Sequence, residues 1–137
     1  MNKKRIQNPP QGGAYALYLN IRKSMTLQVG SLKEGVFPSG RYVYVGSARK
    51  SIAGRIARHR RLAETKTGNI HWHIDYLLTN PGIDLIGEKI HAGRMECDVA
   101  REIASMPDAS VPVRGFGSSD CRCGCRAHLF RIGDKLD

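Results

Sequence analysis

Hydrophobic and polar positions alternate with a period of two in several short stretches and follow a helical period in three others. The alternating stretches predict β-strands over residues 14–21, 26–29, 42–45, 85–91 and 128–132. The helical stretches predict helices over residues 51–65, 71–78 and 95–106, each bounded by a capping serine, a Pro-Gly turn or a proline. This order predicts one α+β domain over residues 1–137, with a small, mainly antiparallel central sheet flanked by helices and a flexible segment over residues 1–12.

Two features extend the predicted sheet. The first two strands are expected to form an extra N-terminal hairpin around the polar turn Arg22-Lys23-Ser24. The C-terminal strand follows a loop rich in Gly, Ser and Cys that starts near Val113. Neither an internal repeat nor a linker interrupts the pattern, so a single core is expected.

The first predicted helix carries a basic segment from Arg55 to Arg61. Its apolar stripe contains Ile52, Ile56 and Ala63. Arg55 and His59, four residues apart, lie along the edge of this stripe and are predicted to face the rim of the sheet. Arg58 and Arg61 are predicted to point outward.

The third predicted helix carries a carboxylate on its apolar face. Glu96 shares a stripe with Val99, Ala100 and Ile103. A carboxylate in that position is costly unless a cation or hydrogen bonds satisfy it. Glu96 is therefore a candidate metal ligand, and the alternative is a carboxylate that only interacts with the dipole at the start of the helix.

The charge distribution indicates a polyanionic partner. The chain has 22 Lys and Arg against 12 Asp and Glu, a formal net charge of +10. Residues 41–66 contain eight bases and one acid, which predicts a basic face, although such a run can also be a solvated helix surface. Nucleic acid, and DNA in particular, is the expected partner, with its phosphates bound by Arg49, Lys50, Arg58 and Arg61. No stretch is apolar enough for a signal peptide or a membrane span, which predicts a cytoplasmic protein without a membrane partner.

The order of these motifs resembles the GIY-YIG nuclease superfamily. Gly13-Ala14-Tyr15 and Tyr44-Val45-Gly46 correspond to its two tyrosine motifs, followed by the basic helix and Glu96. The chain is most similar to a GIY-YIG-related family that contains the blocks Tyr42 to Ala48, His71 to Tyr76 and Gly115 to Cys121. The resemblance implies a GIY-YIG-like fold, endonuclease activity on DNA and a role in DNA repair. It also implies a possible DNA-repair glycosylase partner, because members of the family occur fused to such enzymes.

The resemblance assigns roles to individual residues. Glu96 would hold Mg²⁺ or Mn²⁺, and Arg55 would stabilise charge on the phosphate. Tyr15 or Tyr44 would orient or deprotonate the attacking water, which requires a low phenol pKa, and His59 is the alternative base. The first motif has Ala in place of Ile, and an insertion separates the two motifs. These departures leave a second interpretation open, a non-catalytic nucleic-acid-binding module that retains the fold.

The C-terminal loop offers weaker candidates. Cys121, Cys123, Cys125 and His128 could bind zinc, but their spacing lacks the C-x₂-C pair typical of zinc sites, so reduced thiols without zinc are the favoured interpretation. Ser119 and Asp120 are expected to shape a supporting loop beside the site. His71 and Asp75, four residues apart, could ligate a metal or form a structural hydrogen bond, and the second interpretation is favoured because Trp72 and Ile74 indicate a packed segment.

Overall fold

A computed structural model describes residues 12–118 and 124–133 and gives an α+β fold over them. The strands are β1 Gly13–Ile21, β2 Met25–Leu27, β3 Gly35–Phe37, β4 Gly40–Ala48, β5 Ile83–Ala92 and β6 Leu129–Gly133. The helices are α1 Ile52–Thr65, α2 His73–Leu78 and α3 Glu96–Ala104. The predicted fold class, a mainly antiparallel sheet flanked by helices, is confirmed.

The main sheet has four strands in the order β5-β1-β4-β6 among the described residues, and every pairing in it is antiparallel. The two central strands, β1 and β4, pair from Gly13 opposite Ala48 to Ile21 opposite Gly40. This register places Tyr15 directly opposite Gly46. The two tyrosine motifs of the sequence therefore lie side by side at one end of the sheet.

The extra hairpin is present, but its predicted pairing is wrong. Met25–Leu27 pairs with Gly35–Phe37 and not with β1. The physical reason is that β1 is a long central strand whose backbone groups need partners on both sides. The long strands β4 and β5 supply them along its whole length, and a three-residue strand could not.

Helices cover both faces of the main sheet. Tyr15, Leu17 and Leu19 belong to the larger hydrophobic core, which also contains buried residues of α1 and α2. The alternate β1 residues Ala14 and Ala16 belong to a smaller core that contains buried residues of α3. Because successive side chains of a strand point to opposite faces, this alternation places α1 and α2 on one face and α3 on the other.

The element boundaries differ from the sequence prediction by up to three residues, the largest difference being at the end of β4. Ser51 caps α1 by accepting a hydrogen bond from the Gly54 amide at 2.9 Å, as its position predicts. α2 begins at His73 rather than at residue 71, and α3 ends at Ala104. β5 continues through Gly87, where its register against β1 shifts. Among the helices of the described residues, none combines the length and apolar character that crossing a membrane requires.

Candidate active site

A cavity of about 830 Å³ lies where the Tyr15 end of β1 meets the Gly46 end of β4. Tyr15, Tyr44, Arg55 and Glu96 all line it, although they come from two strands and two helices. His59 is not in the lining but contacts it from behind, through a hydrogen bond to Tyr15. The structure thus brings together the five residues that the sequence nominates for catalysis and metal binding.

Gly46 gives Tyr15 its position. A Cβ atom at residue 46 would lie 2.5 Å from the Tyr15 hydroxyl oxygen, because the tyrosine ring crosses directly over its cross-strand neighbour. The glycine of the second tyrosine motif therefore makes room for the tyrosine of the first motif. Here glycine is needed for a close approach rather than for an unusual backbone angle.

A Gly46→Ala substitution is expected to lower the free energy of unfolding by about 1 to 3 kcal/mol, because the new methyl group forces Tyr15 aside in a packed core. Urea denaturation of the variant measures this loss. Gly87→Ala is the matched control on β5, since the nearest atom to a Cβ there, on Tyr18, is an ordinary 4.0 Å away. Equal stability of the two variants would contradict the proposed role of Gly46.

Tyr15 and His59 form a buried pair. The Tyr15 hydroxyl lies 2.7 Å from Nε2 of His59. Burial raises the pKa of Tyr15 above its ordinary value, although Arg55 opposes the shift. Burial also lowers the pKa of His59 to about 4; Asp75 opposes this shift, and Arg58 and Arg55 add to it. Near neutral pH the pair consists of a neutral phenol and a neutral imidazole.

The low phenol pKa that the sequence analysis requires of a tyrosine base is not found. Burial also raises the pKa of Tyr44, and the neighbouring Tyr15 and Glu96 add to this effect. The arginine of the site does not outweigh burial at either hydroxyl. His59, the alternative base that the sequence indicates, lies within hydrogen-bond distance of the Tyr15 hydroxyl.

The low pKa of His59 should make the free energy of unfolding depend on pH. An imidazole in the unfolded chain has a pKa of about 6.5, so between that value and about 4 the unfolded chain binds more protons than the folded protein. The free energy of unfolding should therefore fall as pH decreases through this window, with a contribution from His59 of about 3 kcal/mol. Urea denaturation of wild type and of His59→Gln at several pH values across this window measures the free energy of unfolding. In the variant this free energy should fall less steeply with decreasing pH, because the His59 contribution is gone. His71→Gln, at an exposed histidine, is the control, and a decrease in His59→Gln as steep as in wild type would refute the assignment.

Glu96, the first residue of α3, is held by two side chains from other elements. Its Oε1 accepts a hydrogen bond from the Ser47 hydroxyl, and its Oε2 lies 2.6 Å from Nδ1 of His128. Burial acts to raise the pKa of Glu96, but His128, Ser47 and Arg55 together lower it below the ordinary value. The side chain is 26% exposed. Glu96 is thus an ionised carboxylate that reaches the cavity.

Arg55 lies between a backbone carbonyl and an aromatic ring. Its guanidinium donates to the Ser47 carbonyl at 3.0 Å and lies 4.4 Å from the centroid of the Trp72 ring. Ser47 therefore contacts the arginine through its carbonyl and Glu96 through its hydroxyl. At the end of β4, Ser47 therefore links Arg55 of α1, on one face of the sheet, to Glu96 of α3, on the other face.

Arg58 does not have the outward position that the sequence predicts. Its guanidinium makes two hydrogen bonds to the fully buried Asp75, at 3.0 and 2.9 Å, so its charge is paired inside the protein. Asp75 also accepts from the backbone amides of His71 and Trp72, which is the structural hydrogen bonding that the sequence analysis favours. The pair fixes Trp72, and Trp72 in turn supports Arg55.

The other predicted phosphate ligands are exposed to solvent. Arg49, Lys50 and Arg61 are exposed, and Arg49 lines the cavity. Ser119, Asp120, Cys121 and Cys123 lie outside the described residues, so their predicted roles stay predictions. Cys125 and His128 are described, and both lie near Cys97 of α3.

Several residues of the site do not follow from the sequence analysis. Ser47 lies within the Tyr42 to Ala48 block, but the sequence pattern gives it no role. For Trp72 the pattern indicates only packing, and for His128 it indicates only a zinc candidate. The signal available for Ser47 is its place one residue after Gly46, at the end of a strand whose Val45 points to the α3 face.

A family model described as domain of unknown function DUF123 matches residues 14–137 of the chain. No curated protein and no solved structure matches it. The matched region includes Tyr15, Tyr44, Arg55, His59 and Glu96.

Proposed function

We propose that this chain, which belongs to the domain of unknown function DUF123 family, is a cytoplasmic GIY-YIG-type endonuclease that hydrolyses DNA strands with a divalent metal ion. The observation that carries the proposal is the convergence of Tyr15, Tyr44, Arg55 and Glu96 on one cavity. Each residue type matches a need of phosphodiester hydrolysis. The cavity offers a carboxylate for a cation, a guanidinium for phosphate and hydroxyls for water.

The donors at Glu96 fit Mg²⁺ or Mn²⁺. Oxygen ligands suit these ions, and one or two carboxylates with waters and substrate phosphates usually complete the shell. Each carboxylate oxygen has two lone pairs, and Ser47 and His128 engage one side of each. When bound, the ion would neutralise charge on the phosphate and polarise water.

Arg55 would bind the phosphate being cut. A guanidinium presents parallel N–H groups that match two phosphate oxygens, and it stays charged throughout the reaction. Trp72, the Ser47 carbonyl and the Tyr15 hydroxyl hold the guanidinium in place, and Arg55 lines the cavity where a phosphate would bind. Preorganised donors of this kind stabilise charge that develops in the transition state.

The Tyr15–His59 pair would take the proton of the attacking water. As the water oxygen forms its bond to phosphorus, its proton moves to the Tyr15 oxygen and the phenol proton moves to Nε2 of His59. The imidazole becomes the cation, so the tyrosine needs no phenolate. An anionic phosphate in the cavity would raise the low pKa of His59 and favour this transfer. The bond to the leaving sugar oxygen breaks, and that oxygen acquires a proton from solvent.

The charge of the chain supports a DNA partner. The net charge of +10 and the exposed Arg49, Lys50 and Arg61 suit a phosphate backbone. DNA affinity should therefore fall steeply as salt rises. The repair role and the repair-glycosylase partner rest on the resemblance to the GIY-YIG-related family alone.

Two observations favour the second candidate, a binding module without catalysis. Both oxygens of Glu96 already have side-chain partners, and the hydroxyls of both tyrosines have raised pKa values. A panel of nicked, flapped and branched DNA substrates, incubated with Mg²⁺ or Mn²⁺, separates the two candidates. The endonuclease proposal expects strand scission on at least one substrate, whereas salt-sensitive binding with no scission on any of them would favour the module.

A further inference from the structure

We propose that the chain has a second metal site, for zinc, formed by the thiolates of Cys97 and Cys125 and one ring nitrogen of His128. One ligand atom of each residue lies within 4.8 Å of the other two. The three residues come from the first turn of α3 and from the segment just before β6. The site is therefore assembled only by the fold.

The geometry is close to that of a zinc shell. Zinc binds sulfur at about 2.3 Å and nitrogen at about 2.0 to 2.1 Å, so tetrahedral ligand atoms are about 3.5 to 4 Å apart. Small side-chain rotations bring ligand atoms from within 4.8 Å to that spacing. Cys97 and Cys125 are half-buried and His128 is buried, so the site is shielded but close to the cavity. With three protein ligands, the fourth position is open to water or another donor.

The donor chemistry distinguishes this site from the one at Glu96. Thiolates and imidazole select soft or borderline metals such as zinc, whereas Mg²⁺ requires oxygen ligands. Cys97 is the second residue of α3, where the helix dipole favours negative charge on the thiolate. The two metals would thus occupy adjacent sites without competing for the same ligands.

His128 connects the two sites. Its Nδ1 lies 2.6 Å from Oε2 of Glu96, which assigns Nε2 to the zinc. A zinc-bound histidine usually donates its other N–H to a carboxylate, and this second contact fixes the orientation of the ring. In this protein the same contact would also hold Glu96 in place at the cavity. The zinc would therefore tie the start of β6 to the start of α3 and position the carboxylate.

The sequence pattern that disfavours zinc contains only the C-terminal cysteines and His128. That pattern lacks the C-x₂-C pair, and it omits Cys97, which is distant along the chain. The fold supplies this ligand. The zinc proposal does not depend on nuclease activity, since none of its three ligands is proposed to bind the substrate or to take the proton.

Cobalt(II) titration of the full-length, reduced protein tests the proposal. Cobalt occupies zinc sites and gives absorption bands that report thiolate ligands and tetrahedral geometry. We expect one equivalent of cobalt to bind with a thiolate charge-transfer band, and one equivalent of zinc to remove that band. Wild-type protein that develops no such band would overturn the proposal.

Variants identify the ligands. Cys97→Ser, Cys125→Ser and His128→Gln should each lose the stoichiometric band, while His71→Gln, at an exposed cavity histidine outside the cluster, should keep it. Circular dichroism establishes which variants fold. If Cys97→Ser is unfolded, the test of the cysteine ligands uses Cys125→Ser instead. A folded Cys97→Ser or Cys125→Ser variant that binds cobalt as wild type does would overturn the ligand set. None of these readouts uses DNA, so a failed zinc site and a failed nuclease are distinguishable.

Discussion

Replacing Glu96 with Gln is expected to abolish DNA cleavage while leaving DNA binding intact. The amide removes the anionic ligand, and a metal ion at a phosphodiester contributes several kcal/mol. A loss of about 4 kcal/mol corresponds to a rate about a thousand-fold lower. The fold should persist, because the amide has a similar shape: its oxygen can accept from His128, and its NH₂ group can donate to the Ser47 hydroxyl oxygen, which now donates to Glu96.

Single-turnover cleavage rates and DNA affinities of wild type and Glu96→Gln check this prediction. Asp98→Asn is the matched control, because Asp98 lies two residues along the same helix, is exposed and pairs only with Arg101 among the contacts described for it. The control should cleave at the wild-type rate. If Glu96→Gln cleaved as fast as Asp98→Asn, the carboxylate would not be the metal ligand.

Replacing Arg55 with Ala is expected to slow cleavage by about 100- to 1000-fold, or about 3 to 4 kcal/mol, as the loss of one preorganised oxyanion donor does. DNA affinity should change much less, since Arg49, Lys50 and Arg61 remain. Arg55→Lys should recover only part of the rate, because an ammonium cannot bind two phosphate oxygens in the guanidinium geometry or stack in the same way on Trp72.

Arg61→Ala is the control for Arg55, on the same helix and exposed. It should weaken DNA binding and reduce its salt dependence without changing the rate of the bound complex. The comparison uses rates at saturating protein, so that binding and chemistry are separated. Equal effects of Arg55→Ala and Arg61→Ala on that rate would show that Arg55 contributes only general charge.

Much of the fold follows from periodicity alone. The long apolar strands β1 and β4, the capped helix α1 and the helix that begins near Glu96 all have strong local signals. The pairing partner of Met25–Leu27 has no such local signal, because strand pairing depends on which long strands occupy both edges of β1. Such competition is settled by the whole sheet and not by the turn at Arg22-Lys23-Ser24.

The candidate site follows from the sequence where its residues share a local motif. Tyr15 and Gly46 each belong to a recognisable triplet, one on the predicted strand 14–21 and one at the end of the predicted strand 42–45, and the antiparallel register places them opposite each other. Arg58 was misplaced because its outward helix position does not reveal that Asp75, on another helix, is buried there and needs a cation. Helix periodicity identifies a face but not what packs against it.

For Glu96, too, the sequence pattern identifies an inward position but not the residues that contact it. Its inward position predicts a partner, and the structure supplies two from segments far along the chain, Ser47 and His128. Cys97 has no signal at all in the C-terminal cysteine pattern, since only the packing of α3 against the sheet brings it near Cys125. Long-range pairs of this kind depend on tertiary structure, which single-sequence patterns do not encode.

Single-turnover cleavage of nicked and branched DNA by the wild-type protein, with Mg²⁺ present and after its chelation, is the decisive test of the proposed endonuclease. We expect scission that requires Mg²⁺ or Mn²⁺, stops on chelation and resumes when the ion is restored. Bound DNA that stays intact at every metal concentration would contradict it, and so would scission that continues unchanged after chelation.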